Sequence, residues 1–295
     1  MRLRSAGHRD LYGEWHKGMK DVDCIAFLQW ALPRMRLEWT GYRKVRRLVC
    51  KRIDRRCRAL GLGDIAAYRL RLEATPAEWD ALHALCSIPI SRFYRDRAVF
   101  DSLKAVVLPQ LAAAAAARGQ RSLECWSAGC ASGEEPYTLS IVWHLALTRY
   151  AAELELHVLA TDIDAHLLER AAAACYGASA LKDLPESWRA AAFERRGAQY
   201  CVREPFRAPV SFVRQDLCAT LPERNFDLIL CRNLTFTYFD RSVQENMAQQ
   251  FAERLHPGGV LVIGVHEKLP PQAAELVPWP GFRAVFRKPP PSEQD

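Results

Sequence analysis

The stretch Ser122-Leu-Glu-Cys-Trp-Ser-Ala-Gly-Cys-Ala-Ser-Gly-Glu-Glu-Pro-Tyr137 decides the fold. Leu123 to Trp126 reads as a short strand and Ser127 to Gly133 as a turn of small residues. A helix follows, with Pro136 near its start, where a missing backbone N–H costs least. A strand, a small-residue turn and a helix N-terminus make the first half of a nucleotide-binding α/β unit. Small side chains matter there because they let a ligand approach the main chain closely.

The spacing of Gly129 and Gly133 does not fit G-x-G-x-x-G. Glu134 and Glu135 stand where a pyrophosphate would need positive charge. Two carboxylates there suit a cationic ligand without phosphate, such as S-adenosylmethionine with its sulfonium and ammonium. They also complement a helix dipole with no ligand at all.

Downstream, strands alternate with helices. Leu154 to Ala160 reads as the second strand and ends in Thr161-Asp162-Ile163-Asp164. A carboxylate at the end of a second strand is where such folds hold a ribose, which singles out Asp162. Asp164 reads as the cap of a helix from Ala165 to Cys175. Tyr200 to Val202 and Val210 to Val213 read as two short antiparallel strands, giving a small β insertion over about 195–214. Asp216-Leu217 follows at a strand end. Phe226 to Cys231 is apolar throughout except for Asp227, the pattern of a central strand. It delivers Arg232-Asn233 to the same sheet edge as the glycine turn. A helix from Arg241 to Leu255, a strand from Val260 to Val265 and a last strand from Phe282 to Phe286 complete the pattern. The proline-rich tail, 289–295, reads as disordered.

Upstream, residues 1–20 are polar and irregular and read as a loose extension. Residues 21–90 read as a small all-helical domain, ahead of the main domain over 91–288. Val45, Leu48, Val49, Ile53, Cys57 and Leu60 recur at helical spacing. The opposite face carries Arg43, Lys44, Arg46, Arg47, Lys51, Arg52, Arg55, Arg56 and Arg58 against Asp54 alone. That is either a solvated face or a docking surface for an anionic partner. Asp64 caps a helix from Ile65 to Leu72, and Thr75-Pro76-Ala77-Glu78 has capping-box spacing ahead of Trp79, Leu82 and Leu85. Ser91-Arg92-Phe93-Tyr94-Arg95-Asp96 follows, then a helix that runs through Leu111 and the alanines to Gly119.

The 295 residues are 49% hydrophobic, enough for a sizeable core, with a net charge of +7 that favours acidic partners. No apolar run reads as a membrane span, and the first residues lack the apolar core of a signal peptide, so the expectation is a cytoplasmic protein. The ten cysteines form no C-x-x-C pair; they read as buried free thiols, with no metal site. A nucleic-acid methyltransferase rests on charge alone, without the N/D-P-P-Y motif of amino-methylating enzymes.

Taken together, the motifs resemble the CheR family of chemotaxis receptor methyltransferases, of which this chain is a divergent member. The resemblance runs from Cys24 to Lys268. Thr40-Gly41-Tyr42-Arg43 and Arg56 to Leu62 are similar to the family's helical domain. Ser91 to Asp96 resembles its T-x-F-F-R-D/E motif. Trp126-Ser127-Ala128 with Gly133 to Tyr137 is close to W-S-A-…-G-E-E-P-Y, and Thr161 to Asp164 and Cys231-Arg232-Asn233 also match. The resemblance implies an α/β, Rossmann-like methyltransferase domain with a mostly parallel sheet, a helical N-terminal domain and an antiparallel β subdomain. It implies S-adenosylmethionine as cofactor, leaving S-adenosylhomocysteine, and methyl transfer to glutamate carboxylates. Ser91, Arg95, Gly129, Glu135, Asp162, Asp216, Leu217, Arg232 and Asn233 would contact the cofactor. Arg95 and Tyr238 would stand near the methyl group as the catalytic candidates. The basic helix, with Arg46, Arg47, Lys51 and Arg55, would dock an acidic protein such as the cytoplasmic part of a chemoreceptor.

The chain departs from the family pattern at four places. Pro89 replaces an Asn, and Leu234 to Asp240 is one residue longer than the family's R-N-x-x-I-Y-F-D, so that Thr237 competes with Tyr238 for one position. Gly264-Val265-His266-Glu267-Lys268 replaces G-H-S-E-N/S. The stretch around Arg196 to Gln199 is short, which removes the longer hairpin that grips a receptor's C-terminal pentapeptide, so no tethering peptide is expected. Methyl transfer to another acid and a non-catalytic cofactor-binding module remain as alternatives.

Overall fold

The structure, a computed structural model, describes residues 19–273 and 275–290. The expected loose extension up to residue 18 and the expected disordered tail from residue 291 lie outside the described residues. The chain divides into two compact units, Met1–Ser87 and Ile88–Asp295.

The first unit is helical: α1 (Asp21–Ala31), α2 (Trp39–Tyr42), α3 (Arg46–Ala59), α4 (Ile65–Ala74) and α5 (Ala77–Cys86). Phe27, Leu28, Val49, Ile53, Cys57, Tyr68, Leu72 and Leu82 are buried together as its apolar interior. The Asp64 side chain accepts the Ala67 N–H at 2.7 Å and caps α4. Two details of its packing differ from the sequence reading. The buried stripe of α3 is Val49, Ile53 and Cys57, at intervals of four, while Leu48 is 40% exposed on the other side. Glu78 does not close a capping box. It is buried, accepts the Tyr68 hydroxyl at 2.9 Å, and pairs with Arg56 through both oxygens at 3.0 and 2.9 Å. A bidentate guanidinium pair on a buried carboxylate outweighs one exposed cap bond, so the side chain turns inward.

The basic face of α3 is also less bare than its sequence suggests. Arg46 pairs with Asp21 at 3.0 Å and Arg58 with Asp54 at 2.5 Å, and Arg52 donates to the Leu85 and Ser87 carbonyls. Partners from other helices are invisible to a single-helix reading. The expected free thiols Cys24 and Cys50 form a disulfide between α1 and α3.

The second unit is α/β. α6 (Arg97–Ser102), a π-turn (Leu103–Val107) and α7 (Leu108–Ala117) form one continuous run. By length and composition Arg97–Ala117 would pass for a membrane span, contrary to the sequence reading. Phe100, Leu103, Val107, Leu108 and Leu111 are instead buried in the unit's largest apolar cluster. Then come β1 (Ser122–Ala128), α8 (Glu134–Ala146), α9 (Thr148–Ala151), β2 (Glu155–Asp162), α10 (Ala165–Ala173), β3 (Cys175–Gly177), α11 (Glu186–Ala192), β4 (Phe193–Arg196), β5 (Gln199–Val202) and α12 (Glu204–Arg207). β6 (Val210–Arg214), β7 (Phe226–Cys231), α13 (Thr235–Tyr238), α14 (Arg241–Glu253), β8 (Leu255–Ile263), β9 (Val277–Pro278) and β10 (Val285–Arg287) follow.

The main sheet has the order β6-β2-β1-β7-β8-β10-β9. β6, β2, β1, β7 and β8 run parallel, and β10 and β9 close one side antiparallel. β7 lies at the centre, buried along its whole length, as its apolar composition requires. Asp227 inside it is fully buried, paired with Arg118 and accepting the Glu124 N–H at 2.9 Å. Asp164 caps α10 by accepting from His166 and Leu167.

The small antiparallel sheet, β3-β5-β4, differs from the expected insertion. Val210 to Val213 does not pair with Tyr200 to Val202; it forms β6, parallel to β2 in the main sheet. β5 pairs instead with β4 through a tight turn and with β3, so the insertion spans 175–202 rather than about 195–214. β3 has three residues, too few for alternation to announce a strand. Cys175 and Cys201 are direct partners in this sheet and form the second disulfide, again against the free-thiol reading.

Candidate functional site

Because β1, β2, β6 and β7 are parallel, their C-terminal ends share one edge. That edge carries Gly129, Asp162, Asp216 with Leu217, and Arg232 with Asn233. Cross-strand bonds lock the edge: the Gly129 and Cys130 amides donate to the Thr161 carbonyl at 2.8 and 2.9 Å, and the Gln215 amide to the Asp162 carbonyl at 2.9 Å. Gly129 has a φ of 76°, and a Cβ there would come within 2.2 Å of Leu234 Cδ2. Only glycine fits beneath that side chain.

The Asp162 carboxylate is fixed at both oxygens. Oδ2 accepts the Ala131 N–H at 2.9 Å and Oδ1 the Asp164 N–H at 3.0 Å. Burial raises its pKa, against the pull of these N–H groups, which favour the ionised form. Each oxygen keeps a lone pair, so two further hydroxyls can be received. Asp216 is exposed, with its side chain accepting the Cys218 amide at 2.8 Å, and Leu217 is buried beside it.

Arg232 is the hub of the site, its side chain only 2% exposed. Nη1 donates to Glu135 Oε2 at 3.0 Å, and Nη2 to Asp96 Oδ2 at 2.8 Å and to the Arg95 carbonyl at 2.9 Å. The guanidinium carbon lies 5.1 Å from the Phe100 ring centre. Glu135 Oε1 also accepts the Ser127 hydroxyl at 2.8 Å. Ser127, Glu135, Arg232, Asp96 and the Arg95 main chain are thus one connected group. Four non-glycine residues here have left-handed backbones: Tyr94, Asp96, Ala131 and Asn233, with φ of 56°, 58°, 47° and 58°. Each such residue costs roughly 1–3 kcal/mol and persists only where its surroundings hold it.

Arg95 is half-buried and donates to the Ile90 carbonyl at 2.5 Å. Burial raises the pKa of the Tyr238 hydroxyl, and the nearby Arg95 charge, a smaller effect, lowers it. Tyr238 is thus near enough to Arg95 to feel its charge, despite the extra residue after Asn233. The Thr237 hydroxyl turns away and donates to Glu267 Oε1 at 2.5 Å.

Ser91 has no hydrogen bond to this group among the described residues; it lines a cavity of about 600 Å³ with Arg92, Ser132, Glu134, Arg170 and Lys182. Arg46, Arg47, Lys51 and Arg55 belong to the first unit, on α3.

The sequence reading missed four members of the site. Asp96 stood inside a quoted motif, but only its neighbour was assigned. Ser127 is unremarkable as a letter, and Thr237 was weighed only for the place of Tyr238, not as a partner of Glu267. Glu267 entered only as a departure from G-H-S-E-N/S, although a lone carboxylate next to apolar β8 is a readable signal.

These residues fit S-adenosylmethionine. Asp162 is preorganised to receive a vicinal diol, Gly129 presents its bare main chain at the same edge, and Glu134 and Glu135 repel phosphate at the start of α8. Arg232 Nε is buried with no hydrogen-bond partner among the described residues.

The family model described as CheR methyltransferase, SAM binding domain, matches residues 90–280. The chain is 37% identical over 190 residues to the chemotaxis protein methyltransferase of Listeria monocytogenes, covering 64% of this chain and 69% of that protein. It is 34% identical over 232 residues to the enzyme of the same name from Klebsiella aerogenes, covering 75% of each. The counterpart from Salmonella typhimurium is 33% identical over 231 residues, 75% of this chain and 76% of that protein.

Proposed function

The chain belongs to the CheR methyltransferase family, and from that premise we propose that it methylates glutamate side chains of an acidic, chemoreceptor-like protein in the cytoplasm. It is an S-adenosylmethionine-dependent methyltransferase. The observation that carries the substrate reading is a half-buried arginine, Arg95, tied through its main chain to the Arg232 hub and near enough to Tyr238 for its charge to act on that hydroxyl.

When bound, S-adenosylmethionine supplies a methyl group on a sulfonium, open to in-line displacement by a carboxylate oxygen. Asp162 would receive the ribose hydroxyls, with Gly129, Glu135, Asp216, Leu217, Arg232, Asn233 and Ser91 around the rest of the cofactor. A glutamate carboxylate is already ionised at neutral pH, so no general base is needed. Positioning and exclusion of water then dominate. The Arg95 guanidinium is suited to a carboxylate by charge and fork geometry, and the Tyr238 hydroxyl adds a neutral donor. This division of labour explains why no histidine or cysteine is required: Cys125, Cys130 and Cys231 are buried and held protonated by that burial.

Docking on α3 is part of the same reading. Arg47, Lys51 and Arg55 are exposed and have no ion pair among the described residues, whereas Arg46 is tied to Asp21. The test is methyl transfer from labelled cofactor to receptor cytoplasmic fragments, with release of label by mild base as the mark of a carboxyl ester. Base-stable product would point to a different acceptor atom. Absence of transfer to any acidic protein, with cofactor binding intact, would overturn the substrate reading.

A further inference from the structure

Glu267 lies beyond the end of β8, only 8% exposed, and ties three segments together. Its Oε2 accepts the Asn233 N–H at 2.9 Å and the Gly264 N–H at 2.6 Å. Its Oε1 accepts the Thr237 hydroxyl on α13 at 2.5 Å. The approach is so close that a Cβ on Gly264 would meet Glu267 Oε2 at 2.8 Å and Asn233 Oδ1 at 3.0 Å. Gly264 is therefore the space into which the carboxylate and the Asn233 amide fit.

The bond to Asn233 has a specific purpose. Asn233 carries a left-handed backbone, φ 58°, immediately after Arg232. Asparagine tolerates that conformation better than most residues but does not select it. Arg232 is held through its side chain by Glu135 and Asp96. Nothing in that group holds the next peptide; Glu267 does. The same carboxylate fixes Thr237, which precedes Tyr238 in the one turn of α13.

We propose that Glu267 is a positioning residue: by accepting from Asn233, Gly264 and Thr237 at once, it sets the Asn233 peptide and the α13 turn that presents Tyr238. The proposal rests on the reading that Asn233 and Tyr238 serve the cofactor site. It is separable from a role as counter-charge to nearby Arg232, because glutamine reproduces the geometry without the charge. A glutamine carbonyl can accept both main-chain N–H groups, and its NH₂ can donate to the Thr237 hydroxyl.

The test compares Glu267→Ala and Glu267→Gln in the full chain, by calorimetric affinity for S-adenosylhomocysteine, thermal melting, and amide hydrogen exchange over 231–239 and at Gly264. Glu267→Ala should bind about tenfold more weakly or worse, the scale of one lost buried hydrogen bond, and should exchange faster at Asn233 and Gly264. Glu267→Gln should stay within about threefold of the parent with Asn233 still protected. Parental affinity in Glu267→Ala would overturn the proposal, as would equal losses in both variants at equal melting temperature. Should Glu267→Ala fail to fold, Thr237→Val removes only the α13 tie. It should speed exchange at 235–238 and leave Asn233 protected; unchanged exchange there would overturn the proposal. A parent protein that binds no S-adenosylhomocysteine would overturn the cofactor reading itself, before any variant is compared.

Discussion

Arg232 Nη1 lies 3.0 Å from Glu135 Oε2, joining two side chains that the sequence assigns to the cofactor one at a time. The pair is almost dry, so its members depend on each other before either meets a ligand. Arg232→Ala would leave Glu135 and Asp96 facing each other without a cation. We expect a loss of roughly 3–5 kcal/mol in unfolding free energy, the usual cost of breaking a buried pair from one side. Chemical denaturation checks this, and a loss below about 1 kcal/mol would mean that water reaches the pair.

Asp162→Ala should weaken S-adenosylhomocysteine binding by about 1–3 kcal/mol, since a charged acceptor for two hydroxyls is removed. Calorimetry reads this directly. Affinity unchanged in the variant would end the ribose assignment.

Arg95→Ala should abolish most methyl transfer while the melting temperature stays near that of the parent, because the Arg95 side chain donates to the Ile90 carbonyl, a part-exposed bond, and its main chain still receives Arg232. Tyr238→Phe should cost less, about tenfold in kcat, the worth of one neutral hydrogen bond. Normal turnover in Arg95→Ala on a confirmed substrate would remove it from the reaction.

Replacing Arg47, Lys51 and Arg55 with Ala should raise substrate KM at low salt and leave S-adenosylhomocysteine affinity unchanged. Screening over roughly 8–10 Å at physiological ionic strength should shrink the difference. A free receptor-type C-terminal pentapeptide should not bind; binding in the micromolar range would show that tethering, not α3, brings substrate in. Arg46→Ala is a poorer probe, since Asp21 already engages that side chain.

Acid should unfold the protein partly through Glu78. The hydrogen bonds from Arg56, then that from Tyr68, hold its carboxyl below the ordinary value of 4.5 despite burial. A carboxylate with a lowered folded-state pKa adds stability that is fully present above the unfolded value and fades as pH falls through the folded one. Stability should therefore drop below about pH 4.5, and Glu78→Gln should flatten that part of the curve. An identical acid limb in the variant would assign the loss to other carboxylates.

Much of the second unit was legible in the sequence because local signals and long-range structure agree there. The small residues of 127–133 demand a turn, the apolar run of β7 demands the centre of a sheet, and both deliver their neighbours to one edge. What was not legible depended on partners far away in the chain. β6 has the composition of any short strand, and only its fit beside β2 separates it from a hairpin with β5. Cys24 meets Cys50, and Cys175 meets Cys201, through packing that spacing does not encode. Glu78 looked like a cap because Thr75 precedes it by three; the Arg56 side chain that claims it comes from another helix. Glu267 was legible as an odd letter but not as a clamp, since its donors belong to β7's end and α13.

The position of β1 in the main sheet carries a consequence for how the chain acquires its structure. Cys125 pairs on one side with Val158 and on the other with Leu228, roughly a hundred positions away. Closing so long a loop costs entropy before any contact rewards it. During synthesis the helices of the first unit, and then the β1–β2 pair, can form while the other flank of β1 has no strand to meet. That flank, with Trp126 and its apolar neighbours, is an unpaired edge of the kind chaperones protect until β7 emerges.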